Sequence, residues 1–192
     1  MKPRKATPLF PSHVHPPAGS VFAHIDGAAR GNPGPAAYGV VFRNSAEEVL
    51  ARFGHAMGEA TNNVAEYHGL LAALDYAHEH GFRALKIFSD SELLVRQLRG
   101  EYKVKSPDLK PLYERARALI GKLEFFDIAA VPRERNRDAD RLANQALDRA
   151  AGPEPASEIQ IEAVYVKGVL KPARKLDMPE GARVDIILRK KS

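Results

Sequence analysis

Four carboxylates stand at the ends of what the sequence predicts to be regular elements: Asp26, Glu66, Asp90 and Asp140. Asp26 closes the strand-like run VFAHID, and Asp90 closes a second apolar run, LKIFSD. Glu66 and Asp140 each fall in the first turn of a helical pattern. Singly, each has a local role open to it. Asp26 can serve the turn that follows, and Glu66 can close a capping box with Asn63, three residues earlier. Asp90 can help to cap the next helix, and Asp140 can favour the dipole of its own. As a set they point to chemistry. Central strands of a mixed sheet can bring Asp26 and Asp90 side by side, and helix N-termini aimed at that edge can add Glu66 and Asp140. Four clustered carboxylates repel strongly unless cations share them. Their hard oxygens suit Mg²⁺ or Mn²⁺, and two such ions form a clamp for in-line attack at a phosphodiester.

The elements that must position these acids follow from periodicity. Val21 to Asp26 reads as a strand, GAARGNPGPAA (27–37) as a Gly/Pro-punctuated turn region, and Tyr38–Phe42 and Val49–His55 as two further strands of an antiparallel meander. From Thr61 the period becomes helical over about 62–80, and Gly81 ends the run. A short buried strand (85–90), a helix (91–98), a basic connection, a helix (about 108–122), a strand (124–131) and a helix (138–150) complete the order. The pattern βββαβααβα predicts an α/β fold, a mixed sheet flanked by helices.

At 192 residues, with no Cys and no Trp, the chain has room for one domain and something small. Thiolate metal sites, disulfides and a cysteine nucleophile are excluded. Residues 1–20 hold three basic side chains and no acid, 21–150 hold 18 of each sign, and 151–192 hold eight basic against six acidic. The excess charge of +5 therefore lies in the two ends, which suits a polyanionic partner or simple solubility. The Pro-rich stretch 1–20 is expected to be a disordered tail. The body is expected over 21–150, a linker over 151–157 and a small β-module over 158–192. No apolar run approaches membrane-spanning length and none follows the basic N-terminus, so the expected setting is the cytoplasm, without membrane contact.

The blocks DGAARGNPGPAAYG (26–39), TNNVAEYHGLLAAL (61–74), FSDSELLVRQL (88–98) and VPRERNRDADRLANQAL (131–147) resemble, in order and spacing, the signature blocks of type 1 ribonuclease H. The resemblance covers about 21–150. It implies the ribonuclease H-like sheet of three antiparallel strands plus parallel strands. It also implies cleavage of the RNA strand of RNA–DNA hybrids with two Mg²⁺ or Mn²⁺ ions, leaving a 5′-phosphate. Asp26, Glu66, Asp90 and Asp140 fall on the family's metal-binding acids. Asp26 would bridge the ions, Asp140 would join it on the nucleophile side, and Glu66 and Asp90 would serve the other ion. Asn32, Thr61, Asn62 and Asn63 match positions that touch the hybrid, where short polar side chains and helix N–H groups suit phosphate and 2′-hydroxyl oxygens.

The sequence departs from the family pattern in three places. The loop 132–139 has no histidine, which places the chain nearer a compact archaeal-like branch; Arg133 or Arg135 is expected to contact the scissile phosphate instead, though neither can act as a base. The segment 99–110 lacks a tryptophan-bearing handle and offers Lys103 and Lys105 for backbone contact, so weaker, salt-sensitive binding and some action on duplex RNA are expected. Residues 164–191 resemble a small β-module of antitoxin-like proteins. About thirty residues cannot hold a core alone, so this module is expected to pack on the body or to pair with a second copy as a homodimer. The rival reading is a non-catalytic nucleic-acid-binding or antitoxin-like regulator on the same fold.

Overall fold

The computed structural model of the chain describes residues 15–151 and 162–173. The chain divides into two compact units, Met1–Pro153 and Glu154–Ser192. In the first, the order is β1 (Val21–Ala29), β2 (Gly34–Arg43), β3 (Val49–Ala60), α1 (Asn62–Glu79), β4 (Ala84–Ser89), α2 (Glu92–Leu98), α3 (Leu109–Ile120), β5 (Phe125–Ala130), a single 3₁₀ turn (Arg133–Arg135) and α4 (Arg137–Ala150). The strands form one sheet in the order β3-β2-β1-β4-β5. Pairing is antiparallel from β1 through β3 and parallel between β1 and β4 and between β4 and β5. This is the expected mixed sheet.

Alternation along β1 assigns its two faces. Val21, Ala23 and Ile25 join Leu70, Leu71 and Leu74 of α1 in the main core. Asp26 pairs in register with Gly39 of β2, and α4 lies against that second face. Thr61 caps α1, its hydroxyl accepting from the Val64 N–H at 3.3 Å. Ser91 caps α2 in the same way through the Leu94 N–H at 3.3 Å.

These caps correct two expectations. Asn63 and Glu66 form no capping box, because Thr61 takes the capping position and Glu66 turns towards other donors. Asp90 does not cap α2, because Ser91 does. A third correction concerns strand length. β1 continues to Ala29, so Asp26 lies inside the strand rather than at its end. β2 begins at Gly34 and β3 runs on to Ala60, which leaves only residues 30–33 as the turn.

Two glycines, Gly27 from the expected turn region and Gly39 from the expected second strand, have a packing role. A Cβ on Gly27 would sit 2.3 Å from the Glu66 backbone nitrogen, and one on Gly39 would sit 2.2 Å from the Ala139 carbonyl oxygen. Each lies in a strand because a helix crosses it too closely for any side chain. Gly27 thereby admits the first turn of α1, which carries Glu66. Gly39 admits the first turn of α4, which carries Asp140.

In the second unit, β6 (Ala163–Val166) and β7 (Val169–Pro172) form an antiparallel hairpin. Most of the expected tail at 1–20, nearly all of the linker at 151–157 and the remainder of the expected β-module at 158–192 lie outside the described residues.

Replacing Gly27 by Ala forces α1 away from β1. Thermal unfolding is expected to show a loss of about 2–4 kcal/mol, or about 5–15 °C in Tm for a chain of this size.

Candidate active site

The sheet topology brings the four acids together. β1 and β4 run parallel and adjacent, so Asp26 and Asp90 meet at one end of the sheet. α1 delivers Glu66 and α4 delivers Asp140 to the same place. All four line one cleft of about 320 Å³, together with Asn62, Ser91 and Arg133.

Asp26 lies deepest, 8% exposed. Burial raises its pKa to about 8, and the charges of Asp90, Asp140 and Glu66 push in the same direction. Its pairing with the Asp90 side chain adds to the same upward shift. Burial likewise raises Glu66 to about 7, opposed by a hydrogen bond from the Ser91 hydroxyl and reinforced by Asp90. Asn62 also donates to Glu66, at 2.9 Å. The Arg133 guanidinium donates to Asp140 at 2.6 Å. Glu66 and Asp140 are thus engaged by a hydroxyl, an amide and a guanidinium. Among the described residues, no three His, Cys, Asp or Glu side chains form a ready ligand sphere. As a donor set, the acids nevertheless fit divalent cations. They offer only hard carboxylate oxygens, and burial and mutual repulsion oppose the ionisation of Asp26 and Glu66, a penalty that cations would relieve.

The other residues singled out in the sequence fall into two groups. Asn62 and Arg133 line the cleft, and Asn32 stands beside it, its side-chain oxygen accepting from the Asn62 N–H at 3.3 Å. Thr61 is the cap of α1, and Asn63 is exposed on the first turn. Arg135, Lys103 and Lys105 are exposed and do not line the cleft.

Three residues that sequence reasoning passed over also bear on the site. Ser91 holds Glu66. Asn136, within the charged loop after β5, is fully buried and reaches Asp90 at 2.8 Å. His24, whose pKa burial lowers despite the opposing hydrogen bond to Asn136, is not in the cleft. A serine and an asparagine next to helix starts look like caps in sequence, so only the packing distinguishes them.

Residues 24–146 match the family described as Reverse transcriptase-like, and residues 158–192 match the family described as AF2212-like. Over 132 residues the chain is 50% identical to a bifunctional protein of Mycobacterium tuberculosis; the match covers 68% of this chain and 36% of that protein. The chain therefore spans about a third of the length of these mycobacterial relatives. It is 46% identical to ribonuclease HI of Halobacterium salinarum over 69% of this chain and 66% of that protein. The crystal structure of the Halobacterium enzyme superposes with a TM-score of 0.67 at 45% identity, covering 68% of this chain and 99% of that one. A ribonuclease H1 isolated from compost, crystallised in complex with an RNA/DNA hybrid, superposes with a TM-score of 0.66 at 38% identity, covering 69% and 99%.

The raised pKa values make metal-free stability pH-dependent. Folded Asp26 holds its proton up to about pH 8, whereas the unfolded side chain releases it near its ordinary value of 3.8. Between these values the folded state binds more protons, so stability falls as pH rises. In EDTA, stability is expected to drop by several kcal/mol between pH 4 and pH 8 and then level off. Asp26→Asn, neutral throughout, is expected to remove most of the slope and to match or exceed the wild-type Tm at pH 8. Thermal unfolding across that range reads both.

Proposed function

Because the chain belongs to the type 1 ribonuclease H family, we propose that it is an endoribonuclease that hydrolyses the RNA strand of RNA–DNA hybrids in the cytoplasm. The observation that carries this reading is the meeting of Asp26, Glu66, Asp90 and Asp140 in one cleft, with burial and repulsion opposing their ionisation.

Asp26, Glu66, Asp90 and Asp140 would hold two Mg²⁺ or Mn²⁺ ions. When bound, such ions polarise the phosphate and lower the pKa of the attacking water. Water adds to phosphorus as the bond to the 3′-oxygen breaks, leaving a 5′-phosphate and a 3′-hydroxyl. Asp26, deepest of the four acids, would be placed to contact both ions. Asn62 and Ser91 hold Glu66 in place through their hydrogen bonds. Arg133 pairs with Asp140 in the free site; its exposed guanidinium, permanently charged, is suited to the scissile phosphate once that carboxylate is engaged elsewhere. None of the described histidines lines the cleft, so proton movement falls to the carboxylates and water.

Around the cleft, the first turn of α1 offers the side chains of Thr61, Asn62 and Asn63 to the sugar–phosphate backbone. Asn32 buttresses that turn from the β1–β2 connection. Arg135, Lys103 and Lys105 provide outlying charge for backbone phosphates, which implies salt-sensitive binding and some action on duplex RNA. The hairpin of the second unit exposes Val164, Tyr165, Val166 and Val169. A two-stranded ribbon with both faces open is marginal alone, and this favours pairing with a second copy.

Asp26→Asn is expected to reduce cleavage of a labelled RNA–DNA hybrid by about 1,000-fold or more, roughly 4 kcal/mol in the barrier, with circular dichroism unchanged. EDTA abolishes cleavage and excess Mg²⁺ or Mn²⁺ restores it. Near wild-type turnover in the variant overturns the assignment, and binding of hybrid without cleavage by the wild type supports the non-catalytic rival. A chain ended at Pro153 is expected to keep its cleavage activity and to change from dimer to monomer in light scattering.

A further inference from the structure

Asn136 sits between the 3₁₀ turn and α4, where an asparagine ordinarily caps the helix by accepting from a free N–H group. Here it does not. Its backbone lies at φ −108° and ψ 8°, and its side chain makes no cap hydrogen bond. The flanking residues Arg135 and Arg137 are exposed, yet Asn136 is only 1% exposed.

Its hydrogen bonds account for the burial. The side-chain NH₂ group donates to the Ile25 carbonyl at 2.9 Å and to the Asp90 carboxyl at 2.8 Å. The amide oxygen faces His24 Nδ1 at 3.4 Å. This orientation has no equivalent flip. The Ile25 carbonyl can only accept, so the NH₂ must face it, and His24 must then carry its hydrogen on Nδ1. The His24 ring is held in turn by stacking on Phe88, with centroids 4.9 Å apart. The Asn136 backbone carbonyl accepts from the Asp140 N–H at 3.1 Å. One residue therefore touches Asp90 directly, the peptide preceding Asp26, and the backbone of Asp140. The side chain thus gives up the capping of α4 for these contacts.

We propose that Asn136, oriented by His24, is the positioning residue that sets the spacing of Asp26, Asp90 and Asp140 for divalent cations. The inference rests on the metal-dependent reading above. It assigns to Asn136 no contact with substrate. Groups that fix the orientation of ligand side chains typically change metal affinity by about 10–100-fold when removed.

The test is calorimetric titration of the full chain with Mn²⁺, without nucleic acid, for the wild type, Asn136→Ala and His24→Phe. The phenylalanine keeps the stack on Phe88 and removes only the hydrogen bond. Asn136→Ala is expected to bind Mn²⁺ about 10–100-fold more weakly, and His24→Phe about 3–10-fold more weakly, with wild-type circular dichroism. A residue that merely anchored the loop would lower Tm without changing Mn²⁺ affinity in the folded protein. Folded variants that bind within twofold of wild type overturn the inference and leave the nuclease reading intact. If Asn136→Ala does not fold, His24→Phe decides by the same thresholds. Absence of Mn²⁺ binding by the wild type overturns both.

Discussion

Like-charge repulsion in a buried cleft is the constraint to which the rest of this structure answers. The topology puts Asp26 and Asp90 on adjacent parallel strands and then adds Glu66 and Asp140 from two helices. In water four such groups would separate; here the backbone prevents it. The protein relieves the repulsion locally, by the upward shift that disfavours charge on Asp26, by the Ser91 and Asn62 donors on Glu66, and by Arg133 on Asp140. Each of these partners is displaceable. A carboxylate cluster held together this way is the kind of site that divalent cations would stabilise.

Close approach of backbones makes the cleft possible. α1 and α4 press on opposite faces of the sheet at Gly27 and Gly39, where even a methyl group would collide with helix backbone. This proximity, more than the length of any acid, lets carboxylates from two faces of a sheet reach one point. The interior that resists the strain is ordinary: Leu70, Leu71 and Leu74 pack against Val21, Ala23 and Ile25, and a buried Tyr67–Gln97 hydrogen bond, at 2.8 Å, ties α1 to α2. Apolar packing of this kind holds polar groups in a geometry they would not choose alone.

The sequence by itself determined the order of the elements, the mixed character of the sheet and the identity of the four acids. Each depends on local pattern: alternation for strands, the Thr61 onset and Gly81 stop for α1, and four motif blocks at family spacing. Tertiary structure decided what local pattern cannot encode. Gly27 looked like a turn residue and Gly39 like a plain strand position, whereas the use of both is the absence of a side chain under a crossing helix. Ser91 is a cap, as its position suggests, but its hydroxyl also serves Glu66, and Asn136 abandons the capping role altogether. Whether a polar side chain turns towards its own helix or into a neighbouring cleft depends on which acceptors lie within about 3 Å. Those acceptors come from residues more than a hundred positions away for Ile25 and Asn136, so only the folded chain sets the choice.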